Sequence, residues 1–509
     1  MKRTFSLFLC AVMIFTFSAC NQRRAKTVLN ISGGPSVEID GDASAEFMDG
    51  ILTVSTSENS YISDITVNDK RVWLTDGSYK IGNCDENTVV EITAKEKVSN
   101  AQEYSAYSVL LSIYDSESNS YSVTWHTPVA DCQKAKLVSS DGDDVKTVWA
   151  YCDEGESDFV NRAVFYNLDN NKEYTYSILD SSEEPVFTSD FKTGSATQDS
   201  ITFMHISDTQ DEKYNGEVWT ELMDDVYNHT RSLDFIIHTG DMVQHGGDET
   251  EWKKMLSGVE EYVSSIPTML TSGNHSYWKD YTYGEENIEY NHTTLNLPEQ
   301  NTENGIYYSF DYSDVHFAVL SSGDSEKTGV GKEQREWLEN DLAETDKKWK
   351  IVAIHNPLYS TGKYGSSSDR NKIARSQQVK LGEIFNEYGV DLVLQGHDHV
   401  FAITKPMDEK RKPIECNIVT ENINGESFRF FENPQAPVYL MSAAGGSQNR
   451  ETVETYEPLW FEKTKSIPDD SAGYSVITIS GDKLYSTFYQ YDYESNTVID
   501  TYSWGLNKS

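Results

Sequence analysis

The sequence is short of positive charge. Its 509 residues include 42 lysines and arginines against 82 aspartates and glutamates, a formal net charge of −40. Such a chain repels phosphate backbones, which excludes binding of nucleic acid by a basic surface. Hydrophobic residues still make up 38% of the chain and aromatic residues 12%, too many for a disordered acidic protein. The length predicts about three domains, and any anionic substrate would require a strong local positive charge.

Cysteine is also scarce. Beyond Cys10 and Cys20 the chain contains Cys84, Cys132, Cys152 and Cys416, and no Cys-x-x-Cys pair. A zinc knuckle or a redox motif is therefore not expected. Cys132 and Cys152 fall in one predicted β domain, where they either form a disulfide in an oxidising compartment or remain buried thiols.

After its amino terminus the sequence has no run of about 18 apolar residues, the length that a membrane helix requires. The apolar stretch 5–17 follows Lys2 and Arg3 and precedes Ser18-Ala19-Cys20. This arrangement predicts a signal peptide over residues 1–20. It resembles a bacterial lipoprotein signal, which implies a lipid anchor at Cys20 and an extracytoplasmic, membrane-anchored protein at the cell surface or in the periplasm. An ordinary cleaved signal and an uncleaved anchor are the alternatives.

Two β-patterned regions follow. Residues 27–98 consist of short apolar runs between Gly-Asp, Asp-Gly and Asn-Asp turns, which predicts a small β-sandwich domain. In residues 99–195, Tyr121, Val123 and Trp125 alternate with polar residues, as in a half-buried strand. Leu168, a polar turn and then Tyr174-x-Tyr176 resemble a fibronectin type III sandwich. That architecture alone does not specify a function.

From Ile201 the pattern changes to strands that alternate with helices, and after Ala436 it returns to strands. Apolar residues at helical spacing predict helices over 217–231, 249–263 and 377–388. The short continuous apolar runs between them are typical of strands buried on both faces. We therefore expect one α/β domain over residues 200–505.

Five predicted strands of this domain end in polar side chains. The ends are Asp208-Thr209-Gln210, Gly240-Asp241, Gly273-Asn274-His275, His355-Asn356 and Gly396-His397-Asp398-His399. Ligands bind at the carboxyl ends of strands in open α/β sheets, and a preceding glycine permits a sharp turn. Carboxylate, amide and imidazole groups without thiolate fit hard-to-borderline metal ions. They suffice for two adjacent ions that would clamp phosphate oxygens and activate water.

This ordered set resembles the calcineurin-like metallophosphoesterases over about residues 201–504. The fibronectin-like segment before it makes the chain similar to the purple acid phosphatase branch. The resemblance implies an α/β fold, a four-layer αββα sandwich, preceded by two all-β sandwich domains. It also implies an enzyme that hydrolyses phosphate esters with two divalent or trivalent metal ions, namely Mn, Zn or Fe.

The resemblance also implies residue roles. Asp208 and His399 would bind the first metal ion, and Asp241 would bridge both ions. The second ion would be bound by Asn274, His355 and His397. His275 would be the catalytic residue that protonates the leaving group or orients the substrate.

Four positions depart from the family pattern. Gln210 replaces a histidine or glycine, and it either binds metal through its amide oxygen or hydrogen-bonds a metal-bound water. Gln244 replaces the tyrosine ligand of the purple branch, which predicts an enzyme without purple colour. Ser276 replaces an acidic residue, so His275 is expected to lack a charged orienting partner. Ile403 replaces an arginine, so phosphate would be held elsewhere.

Other polar residues near these motifs have simpler interpretations. His205 and His238 are expected to pack behind the ligands. His245 either reaches the site or, as we favour, packs beside it. Asp398 is expected to point away from the metal ions.

Three functions are compatible with the sequence. The leading one is hydrolysis of phosphate monoesters. The second is hydrolysis of nucleotide, lipid or wall-polymer phosphodiesters, with the choice resting on residues 281–304 and 360–374. The third is an inactive, metal-binding surface or adhesion lipoprotein. The sequence predicts no particular protein partner.

Overall fold

The computed structural model describes residues 26–31, 34–57, 59–82, 84–96, 105–116, 119–130, 134–155, 157–195, 197–210, 217–230, 232–279, 282–283, 307–322, 329–363, 372–452 and 458–509. The predicted signal peptide with its Cys20 anchor lies outside these residues, and so does Cys132. The pairing of Cys132 with Cys152 therefore stays a prediction. None of the helices described is both long and apolar enough to cross a membrane.

The amino-terminal residues form eight strands. They are β1 (Thr27–Asn30), β2 (Ser36–Asp40), β3 (Ala43–Met48), β4 (Ile51–Thr56), β5 (Ser60–Val67), β6 (Lys70–Arg71), β7 (Ser78–Lys80) and β8 (Val89–Glu96). They build a five-stranded sheet of order β1-β2-β8-β5-β6 and a three-stranded sheet of order β3-β4-β7. Val37 and Ile39 in β2 are buried and alternate with more exposed neighbours, as expected for a strand with one face on a core.

Eight further strands precede the α/β region. They are β9 (Tyr107–Asp115), β10 (Ser120–Thr127), β11 (Lys134–Ser139), β12 (Val145–Trp149), β13 (Tyr151–Glu154), β14 (Phe159–Phe165), β15 (Glu173–Leu179) and β16 (Pro185–Lys192). They form two four-stranded sheets, ordered β13-β14-β10-β9 and β12-β11-β15-β16. The region is all β, as predicted. Its fibronectin-like character and the boundary between residues 98 and 99 stay predictions.

The chain divides into two compact units. Of the described residues, the first contains those up to Tyr107, Thr124–Phe165 and Glu173–Asp190; the second contains those of Ser108–Val123, Tyr166–Lys172 and Phe191–Ser509. Within the first unit, the Tyr151 hydroxyl accepts hydrogen bonds from the backbone N–H groups of Ile65 (3.1 Å) and Val72 (3.2 Å). Trp73 packs edge-on against Tyr151, with ring centroids 5.1 Å apart. These contacts join the two predicted β regions inside one unit.

The second unit contains the remaining elements. They are β17 (Ser200–Ile206), α1 (Glu217–His229), β18 (Phe235–His238), α2 (Glu249–Val263), β19 (Thr268–Leu270), β20 (Trp278–Lys279), β21 (Thr282–Tyr283), β22 (Tyr308–Tyr312), β23 (Val315–Leu320), α3 (Lys332–Glu344), β24 (Trp349–Ile354), α4 (Lys372–Glu387), β25 (Leu392–Gln395), β26 (Phe401–Thr404), β27 (Ile418–Ile423), β28 (Glu426–Glu432), β29 (Val438–Ser442), β30 (Phe461–Lys465), β31 (Ser471–Ser480), β32 (Lys483–Asp492) and β33 (Thr497–Asn507). Short 3-10 helices cover His275–Tyr277 and Pro458–Trp460.

Two large sheets form the middle of this unit. One has eight strands in the order β19-β18-β17-β31-β32-β33-β28-β27, and the other has seven in the order β22-β23-β24-β25-β29-β26-β30. Aromatic rings of the two sheets pack on each other: the Phe203 and Phe317 centroids are 5.4 Å apart, and those of Phe235 and Phe310 are 5.8 Å apart. The two sheets therefore lie face to face over a shared apolar core.

Helices cover the outer faces. Leu338 in α3 and Leu381 and Phe385 in α4 share a buried core with Val352 of the seven-stranded sheet. In α1, the Trp219 ring lies 5.6 Å from His238 of the eight-stranded sheet. Helix, sheet, sheet and helix make four layers, so the predicted αββα sandwich is confirmed.

Helix α3 was not anticipated from the sequence. Its buried face consists of Gln334, Leu338 and Leu342, so its apolar stripe is narrow and one of its three buried positions is polar. The Gln334 amide compensates its burial by hydrogen-bonding both the N–H (2.9 Å) and the C=O (3.0 Å) of Ser321. A polar residue that packs through backbone hydrogen bonds is invisible to apolar periodicity.

Candidate metal centre

The predicted strand ends meet at one edge. Strands β17, β18 and β19 are parallel neighbours in the eight-stranded sheet, and β24 and β25 are parallel neighbours in the seven-stranded sheet. Their carboxyl ends bring together six of the ligand candidates, as the contacts below show: Asp208, Asp241, Asn274, His355, His397 and His399. The carboxyl-edge placement expected from the sequence is thus what the structure has.

Four of the candidates lie in left-handed backbone. The φ angles are 53° at Asp208, 56° at Asp241, 74° at His397 and 52° at His399. Non-glycine residues rarely adopt this conformation, which costs on the order of 1–3 kcal/mol each and clusters at functional sites. These turns swing the side chains sharply from the strand direction, and the surrounding hydrogen bonds hold them there.

Asp208 and His399 form one half of the centre. The Asp208 carboxylate accepts hydrogen bonds from the backbone N–H of His397, at 2.8 Å to Oδ2, and lies 3.2 Å from Nε2 of His399. Both side chains are buried. A carboxylate oxygen and an imidazole nitrogen therefore face each other, as the proposed first-ion ligands must.

Asp241, Asn274 and His355 form the other half. Nε2 of His355 lies 3.0 Å from Oδ2 of Asp241 and 3.1 Å from Oδ1 of Asn274. One ligand atom each of Asp241, His355 and His397 lies within 4.8 Å of the others. The His355 and His397 ring centroids are 5.1 Å apart. These four side chains are the ones predicted to surround the second ion.

Backbone carbonyls fix the histidine rings. Nδ1 of His355 donates to the Thr239 carbonyl (2.7 Å), and Nδ1 of His399 donates to the Gln448 carbonyl. Because a carbonyl only accepts, each Nδ1 carries the proton and each Nε2 presents its lone pair to the centre in the neutral ring. Metal-ligating histidines are oriented in this way.

His275 is anchored in the same manner. Its Nδ1 donates to the Gln244 carbonyl (2.7 Å), its backbone N–H donates to Oδ1 of Asp241 (2.8 Å), and its Nε2 lies 4.0 Å from Oδ2 of Asp241. Because residue 276 is a serine, His275 was expected to lack a charged orienting partner. The Gln244 carbonyl orients its ring instead. Ser276 instead accepts a hydrogen bond from the N–H of Gly273 through its hydroxyl (3.1 Å).

Two glycines are required for different reasons. Gly240 has φ +93°, and a Cβ there would lie 2.7 Å from Nδ1 of His355. Gly273 has no positive φ, but a Cβ there would lie 2.0 Å from Oδ1 of Asp241. The first glycine therefore permits the turn, whereas the second leaves room for the carboxylate of Asp241.

Gln210 tests whether the site fits a metal ion. Its amide Oε1 is buried and has no hydrogen-bond partner among the residues that the structure describes. A buried, unsatisfied oxygen costs roughly 1–3 kcal/mol, which coordination to a cation would remove. Together with the nitrogen and oxygen donor set of the other candidates, this orphaned atom fits hard-to-borderline metal ions. Its role as a ligand stays a prediction.

The charges of the centre are strongly coupled. Burial alone would raise the pKa of Asp241, but His355 and His275 lower it to about 2. Burial would likewise lower the pKa of His355, but Asp241 raises it to about 9. For Asp208, His399 and His355 outweigh burial and lower the pKa. The two carboxylates are therefore ionised, and a bound cation would take the place of the proton on His355.

His205 and His238 pack behind the centre. His238 accepts from the Gly240 N–H at Nδ1 (3.2 Å), so its Nε2 carries the proton and lies 2.9 Å from Oγ1 of Thr209. His205 bonds Ser442 (2.8 Å) and Thr239 (3.0 Å) through its two ring nitrogens. Burial lowers the pKa of both histidines to about 3, so both are neutral supports.

Two other polar residues have structural partners. The Asp398 carboxylate accepts a hydrogen bond from the Ser360 hydroxyl. Nδ1 of His245 lies 2.6 Å from Oε1 of Glu251. Asp398 thus faces residue 360 rather than the ligands, as expected.

One segment of the centre was missed from the sequence. Strand β29 is followed by Ala443-Ala444-Gly445-Gly446, and the chain continues to Arg450. Gly446 N–H donates to the Asp208 carbonyl (3.1 Å), and Arg450 N–H donates to the His399 carbonyl (3.1 Å). The sequence carried a signal for this segment, because glycine follows a continuous apolar strand here, as it does at Gly240, Gly273 and Gly396.

Comparison with known proteins identifies this architecture. The calcineurin-like phosphoesterase family model matches residues 201–401. We refer to these matching residues as the calcineurin-like domain. All the predicted ligand candidates of the centre lie inside the matched range.

The chain also resembles purple acid phosphatases. Purple acid phosphatase 21 of Arabidopsis thaliana is 28% identical over 220 residues, which cover 41% of this chain and 48% of that protein. Probable inactive purple acid phosphatase 24 of the same plant is 29% identical over 204 residues, covering 37% and 32%. The chain thus spans about half or less of the length of these curated relatives.

A solved structure shows the same fold. The purple acid phosphatase PPD1 from yellow lupin (Lupinus luteus) seeds superposes with a TM-score of 0.64 at 17% identity, covering 90% of this chain and 81% of that one. The likeness extends beyond the calcineurin-like domain.

Proposed function

We propose that the chain is a phosphoester hydrolase with two metal ions, and that it acts on phosphate monoesters. The observation that supports this most strongly is the orientation of three histidines, His275, His355 and His399. Each donates Nδ1–H to a backbone carbonyl and turns Nε2 toward an aspartate of the centre. Such preorganisation serves no evident packing purpose, whereas it is what catalysis at a metal centre requires.

The ligand roles follow from the two halves of the centre. Asp208 and His399, with Gln210, would hold the first ion; Asp241 would bridge. Asn274, His355 and His397 would hold the second ion. When bound, the two ions supply Lewis-acid polarisation of the phosphate and a nucleophile at neutral pH. Mn, Zn and Fe(II) all fit these donors.

His275 would supply the proton for the leaving group. Because its Nδ1–H is committed to the Gln244 carbonyl, Nε2 is the atom that gives up or takes up a proton. A proton on Nε2 would pass to the ester oxygen as its bond to phosphorus breaks. The backbone bond to Asp241 keeps the ring beside the bridging carboxylate.

We also propose an extracytoplasmic location with a lipid anchor at Cys20. The signal-like residues 1–20 support it, and mass spectrometry of the mature amino terminus tests it. A lipid-modified Cys20 at the first position is expected, and an intact Met1 would contradict the proposal.

We further propose a colourless enzyme, because Gln244 offers no phenolate. A strong visible absorption band of the metal-loaded protein would contradict this.

The activity is tested with the purified full-length chain and synthetic esters. We expect p-nitrophenyl phosphate to be hydrolysed in the presence of Mn or Zn and not after chelation. Bis-p-nitrophenyl phosphate should be hydrolysed more slowly, and a faster rate would favour the phosphodiesterase function instead. Hydrolysis of neither ester would support an inactive metal-binding surface protein.

A further inference from the structure

An aromatic ring lies beside His275. Trp278 directly follows the 3-10 helix His275–Tyr277, and the centroids of the Trp278 and His275 rings are 6.1 Å apart, with 25° between their planes. Rings that are nearly parallel at this distance are offset, so each leaves part of its face uncovered by the other. Both residues are partly exposed, and the His275 side chain is 21% exposed. The two rings are therefore neighbouring parts of an accessible surface at the metal centre.

Backbone hydrogen bonds fix the segment that carries both rings. Gly246 N–H donates to the His275 carbonyl (2.9 Å), and Gly247 N–H donates to the Trp278 carbonyl (2.9 Å). The indole N–H of Trp252, which is buried in α2, donates to the Gly246 carbonyl (2.9 Å). The turn at residues 246–247 is thus held from one side by α2 and itself holds residues 275 and 278. An indole that is placed in advance loses little conformational entropy when a ligand packs against it.

The position of the Trp278 indole matters because of the role of His275. Nε2 of His275 is the atom that would give its proton to the ester oxygen, so that oxygen lies beside the imidazole in the reacting complex. The carbon skeleton of the leaving group is attached to the same oxygen. An aromatic ring attached there can come within about 4.5–7 Å of the indole centroid, the range in which aromatic rings pack on each other.

We propose that Trp278 packs against the leaving group of the substrate and selects phosphate esters of aromatic or heteroaromatic alcohols, an inference that rests on the proposed function. The metal ions would hold the phosphate group of every ester alike, whereas the indole makes a contact that depends on the alcohol alone. A short polar alcohol such as glycerol has no flat apolar face and gains little from this contact. Trp278 therefore determines specificity and takes no part in the proton transfer.

The test measures binding of two phosphonates to the metal-loaded full-length chain by calorimetric titration. Benzylphosphonate resembles phenyl phosphate with a methylene group in place of the ester oxygen, and ethylphosphonate offers the same anionic group without the ring. Neither contains an ester bond, so the comparison does not depend on turnover. The ring preference is the dissociation constant of ethylphosphonate divided by that of benzylphosphonate.

Wild type is compared with Trp278→Leu, Trp278→Phe and the control Trp149→Leu. Leucine keeps the apolar character of the position without an aromatic ring, and phenylalanine keeps a smaller ring. Trp149 is also a partly exposed indole, but it lies in strand β12, which supplies none of the ligand candidates. Bound metal, determined by mass spectrometry, and kcat/KM for phenyl phosphate and glycerol phosphate are measured on the same four proteins.

We expect wild type to show a ring preference of about 3–10-fold and Trp278→Leu to lose it through weaker binding of benzylphosphonate. Trp278→Phe should lie between the two, and Trp149→Leu should match wild type. The affinity for ethylphosphonate and the metal content should be the same in all four proteins. In Trp278→Leu, kcat/KM for phenyl phosphate should fall by about 3–10-fold and that for glycerol phosphate should not change.

Four results would overturn the inference. They are the absence of a ring preference in wild type, an unchanged ring preference in Trp278→Leu, an equal loss of affinity for both phosphonates in that variant, and loss of metal ions from both Trp278 variants. The last two would show that the indole only supports the centre. If Trp278→Leu alone loses its metal ions, a lower ring preference in Trp278→Phe upholds the inference and an unchanged one overturns it.

The proposed function fails separately, if wild type hydrolyses neither phosphate ester. A ring preference that depends on Trp278, found without turnover, would uphold the inference about this surface and remove only the proposed activity. Turnover of both esters without a ring preference would do the reverse.

Discussion

Both compact units have exposed residues in left-handed backbone, but among the described residues only the second unit also has buried ones. In the described part of the first unit, the non-glycine residues with positive φ are Asp49, Asn68, Asp69, Asp76 and Glu183, and all are exposed. In the second unit, Asp208, Asp241 and His399 have positive φ and are buried. Exposed Asn and Asp at hairpin turns adopt this conformation at little cost. Buried strained residues need support from their surroundings, and their clustering marks a functional site.

Replacing the bridging candidate should give the largest effect. Asp241→Ala removes the carboxylate that contacts His355 and the His275 N–H, so we expect loss of metal binding and a fall in turnover of at least about 10³-fold. Asp49→Ala, at an exposed left-handed turn of the first unit, should change neither. Metal analysis and kcat on both proteins measure the contrast. Equal effects of the two substitutions would remove the distinction between the two kinds of turn.

His275→Ala should leave the metal ions in place and lower kcat by on the order of 10²–10³-fold. The loss should be larger for an alkyl phosphate than for p-nitrophenyl phosphate, because a nitrophenolate leaves without needing a proton. Parallel assays of the two esters measure the ratio. Equal losses for both would assign His275 to substrate orientation rather than proton transfer.

A buried ion pair away from the centre should make stability depend on pH. His316 lies 2.8 Å from both Asp311 and Asp341, and Lys347 lies 3.5 Å from Asp311. Burial would lower the pKa of His316, but the two carboxylates raise it to about 9. Its stabilisation is therefore complete below the unfolded-state pKa, near 6.5, and is lost as pH rises through about 9.

His316→Gln should lower the free energy of unfolding by about 3 kcal/mol at pH 6 and by much less at pH 10. Lys332→Gln, which breaks the exposed pair with Glu336, should show no such pH dependence. Thermal unfolding of both variants and wild type across this pH range gives the comparison. If the stability difference between His316→Gln and wild type stayed the same across this pH range, His316 would not be stabilised as a protonated ring between the two carboxylates.

The smallest effect is expected at Gln210. Gln210→Leu removes the buried Oε1, so affinity for one metal ion should fall about tenfold. Gln244→Leu keeps the carbonyl that holds His275 and should retain both ions. Competition with a chelator measures the affinities. An unchanged affinity in Gln210→Leu would exclude Gln210 as a ligand.

The sequence predicted which side chains meet, because glycine and polar residues at strand ends form a spaced pattern. It could not show what orients them. The groups that anchor His275, His355 and His399 are carbonyls of Gln244, Thr239 and Gln448, and every residue type has the same carbonyl. Arg450 was missed because only its fold position, not its neighbours in sequence, places it beside His397.

The predicted domain series was less informative for the first unit. Tyr151 hydrogen-bonds Ile65 and Val72 across more than 75 residues, which joins regions that turn signals had separated. Alternation identifies the strands, but it does not reveal which sheets share a core.

The central claim is a dinuclear centre that hydrolyses phosphate esters. The most direct test is titration of metal-depleted full-length protein with Mn or Zn, with bound metal counted by mass spectrometry and p-nitrophenyl phosphate turnover followed in the same samples. We predict two bound ions per chain and turnover that appears with them. The claim would be contradicted if no metal is bound at a large excess of Mn or Zn. It would also be contradicted if two ions are bound and the protein hydrolyses neither the monoester nor the diester.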